Sequence, residues 1–161
     1  MIFGIWNDRI IREECERGLV DSFDPALINP ASLDLRLGNE FINVKTGNKF
    51  VADRIVIVPG EAMLATTFER VRLPNYVAAQ LSLKSSMARD GLDHNLAGWV
   101  DPGFNGELTL ELHSHKEVVL HAQQRIAQLV FMGMAEVPEQ SYNGKYQYQV
   151  GPTKALRDKR C

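Results

Sequence analysis

In ELTLEL, residues 107–112, every second position is leucine, and the positions between carry Glu107, Thr109 and Glu111. Side chains alternate faces along an extended chain. This period of two therefore turns Leu108, Leu110 and Leu112 to one face and the polar three to the other. The pattern recurs in SLDLRLG, where Leu33, Leu35 and Leu37 oppose Asp34 and Arg36. AMLATTFERVRL, YVAAQLSL, EVVLHA and RIAQLVFMGM are further strand candidates, and turn signals part them at short, fairly regular spacing. FINVKTGNKFV reads as a hairpin around Thr46, Gly47 and Asn48. NDRIIREECERG alone reads as helix, with Asn7 or Asp8 as N-cap and Gly18 as the stop. The expected fold is mostly β, a sandwich, jelly roll or distorted barrel with a short N-terminal helix.

The 161 residues fit one domain able to bury its own core, and no repeat or linker divides them. No apolar run approaches the roughly 20 residues of a membrane span, and MIFGIWNDRI lacks the features of a secretory signal. Cys15 and Cys161 form neither a disulfide framework nor a metal-ligand spacing, which predicts a reducing cytoplasm. A net charge of −2 argues against a bulk nucleic-acid binder. From Ser141 onward, however, the chain carries +4, leaving −6 for the rest. A basic tail on an acidic body suits a small polyanion such as triphosphate, and it suits a merely solvated tail as well.

Three stretches carry candidate chemistry. Glu111 either solubilises its strand or serves as a carboxylate in a site. KSSMARDG has the form of a serine cap and one helical turn, with Ser85 and Arg89 on one side. Backbone N–H groups there, with Lys84 and Arg89, would attract phosphate, although a plain cap fits too. In WVDPGFNGEL, Pro102, Gly103 and Gly106 supply a tight turn, which Asp101 either caps or uses to orient a water or sugar hydroxyl. The chain has no phosphate loop, no G-x-G-x-x-G and no G-x-S-x-G. Two scattered cysteines cannot supply the P-C-x-x-C of zinc deaminases, and His94, His113, His115 and His121 lack a ligand spacing.

Taken in order, INPASLDLRLGNEF, LATTFERVRLPN, KSSMARDGL, AGWVDPGFNGELTLEL, RIAQLVF and YNGKYQYQVGPT span nearly the whole chain. This set resembles the dCTP deaminases of the trimeric dUTPase-like superfamily, most closely the bifunctional, dUMP-forming branch. The resemblance implies a homotrimer of distorted jelly-roll subunits, with a β domain over residues 1–140 and a lid over 141–161 that closes sites built between neighbours. It implies deamination without zinc, with magnesium carried on the triphosphate rather than on protein side chains. Glu111 would be the general base that activates water for attack at C4 of cytosine. Ser85 and the backbone carbonyl of Ala97 would hold that water, and Arg89 would hold Glu111 and Ser85. Lys84, Ser86, Lys145 and Gln149 would contact the triphosphate, with Tyr142 in the closing tail. Asp101 would orient a water towards the α-phosphorus. Trp99 belongs to the substrate-binding set, and Phe104 would pack under the deoxyribose. dCTP and dUTP would be substrates and dTTP an inhibitor, with no nucleic acid or membrane as partner.

Asp101 and Glu111 also occur together in single-activity deaminases, so the pair permits the second activity, and the overall likeness favours it. The chain departs from the family where Lys84 replaces the usual Arg, Leu96 the usual Thr or Asn, and Asp90 and Asp93 apolar residues. The segment between 44 and 59 is also shorter. Two other readings compete: a plain dUTPase, against which Glu111 speaks, and a nucleotide-sensing regulator, favoured by Leu96 and the aspartates around it.

Overall fold

The computed structural model describes residues 3–95 and 97–157. Leu96 and residues 158–161 of the tail lie outside the described residues. The chain opens with β1 (Gly4–Ile5) and α1 (Asp8–Glu16), then a short turn of 3-10 helix. There follow β2 (Ile28–Asn29), the long β3 (Ser32–Asn43), β4 (Lys49–Val51), β5 (Arg54–Ile57) and the long β6 (Ala62–Arg72). β7 (Val77–Leu83) leads through α2 (Ser85–Arg89) to β8 (Leu92–His94) and β9 (Trp99–Val100). β10 (Asn105–Ser114), β11 (Val118–His121) and β12 (Arg125–Gly133) complete the strands.

One antiparallel sheet runs β8-β10-β6-β3-β12-β7-β9, with β1 added on β12 and β2 and β4 on β3, and β11 pairs with β5 in a second sheet. The fold is mostly β, as expected. The hairpin also forms as read, pairing Phe41 with Phe50 across a turn in which Gly47 takes φ +73°. Asn7 is the N-cap of α1, its side chain accepting the Ile10 N–H at 3.1 Å. Ile10, Ile11 and Cys15 turn inward from that helix. Burial pushes the Cys15 thiol up to about 12, which keeps it protonated and inert.

Leu33, Leu35 and Leu37 face the core as the alternation predicts. The opposite face of β3 is covered as well. Asp34 is only 1% exposed, and Asn29 and Lys84 donate to its two oxygens at 2.8 and 2.5 Å. Glu69 on β6 is 0% exposed and takes the Arg36 backbone N–H and Nε–H at 2.8 and 2.6 Å. Glu69 sits where the β10–β6 register shifts between Glu107 and Thr109. Thr67 repairs the ladder there: its hydroxyl accepts the Leu108 N–H at 3.0 Å and donates to the Glu69 carbonyl at 2.8 Å.

Candidate active site

The alternation in β10 sets the geometry. Leu108, Leu110 and Leu112 are buried, while Thr109 and Glu111 open onto a cavity of about 730 Å³, inside the roughly 300–1,000 Å³ usual for small-molecule sites. Glu111 is half-buried, and loss of water raises its carboxyl above the ordinary 4.5. A hydrogen bond from its own backbone, then the charge of His94, oppose that rise. A carboxylate held in this way is a better proton acceptor near neutral pH than a solvated one.

Asp101 lines the same cavity from the turn after β9. Its backbone carbonyl closes the turn by accepting the Phe104 N–H at 3.1 Å. Its side chain does not cap that turn but accepts the Trp99 indole N–H at 3.0 Å. Ala97 reaches the cavity because Gly98 lies flat on β7. The Leu81 N–H donates to the Gly98 carbonyl at 2.7 Å, and a Cβ on Gly98 would run into the Leu81 carbonyl oxygen. Phe104 is buried, with its ring centroid 5.8 Å from that of Tyr142.

The tail supplies the rest of the wall. Tyr142, Lys145 and Gln149 line the cavity beside Asp101 and Glu111. The Tyr142 N–H donates to the Pro102 carbonyl at 2.8 Å, and Lys145 Nζ lies 5.6 Å from the centre of the Tyr146 ring. The Gln149 side chain donates to the Glu107 carbonyl at 2.6 Å. Sequence reading passed over Leu64, Leu81, Tyr146 and Thr153, which also line the cavity. Tyr146 and Thr153 lie within the quoted tail motif, whereas nothing local marks Leu64 or Leu81 as more than core.

The remaining sequence candidates stand apart. Ser85, Ser86 and Arg89 are exposed on α2 and do not line this cavity within the single chain. Neither serine caps α2, because Lys84 holds the N-cap position and makes no side-chain capping bond. Lys84 Nζ is instead bound to Asp34. His113 and His115 approach Asp93 at 3.6 and 3.7 Å, yet among the described residues no group of three His, Cys, Asp or Glu side chains could hold a metal ion. No helix among the described residues is long and apolar enough to cross a membrane.

A family model described as dCTP deaminase-like matches residues 5–134. This chain belongs to the dCTP deaminase-like family. Within that family, it is 42% identical to the dUMP-forming dCTP deaminase of Persephonella marina, over 92% of this chain and 94% of the relative. It is 42% identical to the enzyme of the same name from Aquifex aeolicus, over 91% of each. A dCTP deaminase of Pyrococcus horikoshii is 38% identical, over 88% of this chain and 90% of that one. Among solved structures, the 2′-deoxycytidine 5′-triphosphate deaminase of Agrobacterium tumefaciens superposes with a TM-score of 0.72 at 23% identity, over 81% of this chain. The dCTP deaminase-like chain spans only 48% of that protein's length, so this match establishes the fold alone.

Proposed function

We propose that this protein deaminates dCTP and hydrolyses the product to dUMP and pyrophosphate. The observation that carries the reading is that Glu111 and Asp101 line one cavity. The names of the Persephonella marina and Aquifex aeolicus relatives, both dUMP-forming dCTP deaminases, support it. Glu111 takes a proton from water as its oxygen adds to C4 of cytosine. It then delivers that proton to the exocyclic nitrogen, which leaves as ammonia when the C4–N bond breaks. Asp101 directs a second water at the α-phosphorus, breaking the bond to pyrophosphate. The balance is dCTP and two waters to dUMP, ammonia and pyrophosphate. Phe104 packs under the sugar, Trp99 and Tyr142 flank it, and Lys145 supplies charge to the phosphates. Magnesium, when carried on those phosphates, neutralises part of their charge.

In this reading the enzyme is a cytoplasmic homotrimer. The exposure of Ser85, Ser86 and Arg89 outside their own chain's cavity supports a site completed by a neighbour's α2. Lys84 is engaged by Asp34 in its own chain and sets the start of α2, so it reaches phosphate only if Asp34 lets go. dTTP is the expected inhibitor, since the site takes pyrimidine deoxynucleoside triphosphates.

The test is a product assay with magnesium and dCTP, following ammonia, dUTP, dUMP and pyrophosphate. Equal release of ammonia, dUMP and pyrophosphate is expected. Asp101→Asn should cut pyrophosphate release about 10²-fold and leave dUTP as the product. Hydrolysis of dUTP with no ammonia from dCTP would make this a plain dUTPase. Tight nucleotide binding without turnover would make it a regulator.

The pH dependence has a definite sign. Burial raises the Glu111 carboxyl above 4.5, and only the ionised form accepts a proton. Deaminase kcat/KM therefore falls as pH drops through that raised value, with the acid limb above pH 4.5. In Glu111→Gln that limb disappears from the residual rate. A limb at the same pH in the variant assigns the titration to another group.

A further inference from the structure

Glu107 and Thr109 share a face with Glu111, and the chemistry above uses neither. Both are bound to the C-terminal tail. Glu107 Oε2 accepts the backbone N–H of Gly151 at 2.7 Å and the Thr66 hydroxyl at 3.2 Å. The Glu107 N–H donates to the Gln149 carbonyl at 3.1 Å, and the Gln149 side chain returns a bond to the Glu107 carbonyl. Two residues along, the Thr109 hydroxyl accepts the Thr153 N–H at 3.2 Å.

The tail is shaped to meet these groups. Gly151 is buried and takes φ +68°, a conformation that side chains disfavour. A Cβ at Gly151 would come within 2.6 Å of Glu40 Oε2 and 3.3 Å of Lys49 Nζ. Gly151 thus threads between the Glu40–Lys49 ion pair and Glu107. Beyond it, Lys154 Nζ donates to the Gly47 carbonyl on the hairpin at 2.9 Å. Upstream, the same segment carries Lys145 and Gln149 on the cavity wall.

We propose that Glu107, assisted by Thr109, is the latch that holds the tail at Gly151 and so sets Lys145 and Gln149 against the cavity. The bond to Gly151 is charge-assisted, the stronger kind. Glu107 is therefore a positioning residue acting through the tail, four residues along one strand from the proposed base. Its effect on substrate rests on the deaminase reading, whereas its effect on the tail does not.

Hydrogen–deuterium exchange of the full-length protein without nucleotide tests the latch, in Glu107→Ala, Gly151→Ala, both together, and Glu107→Gln. Tail amides from 149 to 154 should exchange about tenfold faster in each alanine variant, with β12 unchanged. The double variant should be no looser than the looser single one, because Gly151→Ala, by colliding with Glu40, already loses the bond to Glu107. Glu107→Gln keeps an oxygen acceptor and should restore most of the protection. With dCTP, Glu107→Ala should raise KM about tenfold and leave kcat within about threefold, the signature of lost binding. Unchanged tail exchange in both single variants overturns the latch, as does multiplication of their effects in the double variant. Equally fast exchange in β12 makes Glu107 a general stability residue, and an unchanged KM removes its positioning role. Exchange requires no turnover. A wild-type protein inert on dCTP would sink the function and leave the latch standing, while unchanged exchange in an active enzyme would sink the latch alone.

Discussion

Replacing Glu111 with Gln is expected to lower ammonia release from dCTP by about 10²–10⁴-fold without loosening the protein. Glutamine matches the shape of glutamate but cannot accept a proton at any useful pH, so the water at C4 loses its base. Stability should hold or rise slightly. Burial raises the Glu111 carboxyl, which means the fold disfavours the ionised form that the substitution removes. Parallel melting curves and rate measurements separate the two effects. A variant that keeps its rate returns Glu111 to being a carboxylate on a strand. One that loses rate and melting temperature together assigns it a structural role.

The largest stability loss is expected where β3 crosses β6. Glu69 is fully buried, and Arg36 serves it with two hydrogen bonds at 2.8 and 2.6 Å. The guanidinium also donates to the Ser22 carbonyl at 2.9 Å and lies 4.8 Å from the centre of the Phe68 ring. Arg36→Met removes the charge and leaves a buried carboxylate with backbone N–H donors only, a loss of about 3–5 kcal/mol at neutral pH. Even with Arg36 present, burial outweighs the arginine and raises the Glu69 carboxyl above 4.5. Without it the value rises further. The folded variant then binds a proton at pH values where the unfolded chain does not, so its stability falls as pH rises from 4.5 through that raised value. The deficit relative to wild type should accordingly shrink as pH is lowered towards 4.5, read from denaturant midpoints across pH. A deficit that does not change with pH would mean that packing lost with the arginine stem, and not the stranded charge, sets the cost.

Strand alternation made β3 and β10 legible, because a period of two needs only neighbours along the chain. The helix was equally plain, since Asn7 and Gly18 mark its ends locally. Asp34 and Glu69 are harder cases. Asp34 lies on a strand face that reads as polar, whereas Glu69 alternates in step with the buried Ala65, Thr67 and Val71, and the groups that pair with them, Lys84 and Arg36, are distant in the chain. The serines of α2 likewise read as caps, since Ser is a common capping residue, yet the chain enters that helix one residue earlier. Glu111 and Asp101 could be assigned roles only through the ordered family motifs. Spacing alone leaves an alternating Glu indistinguishable from a solvated one. What it could not convey is that Glu107 meets a glycine more than forty residues away.

β10 has a consequence for how this family can diverge. Its inward leucines hold the core, and its outward residues, two apart, hold the tail and line the cavity. Losing or gaining one residue within it would exchange the two sets at once, leaving carboxylates inside and leucines in the site. Exchange of one outward residue for another leaves the core untouched. Novelty along this strand is therefore open to substitution and closed to insertion, and length variation belongs in turns such as the one around Gly47.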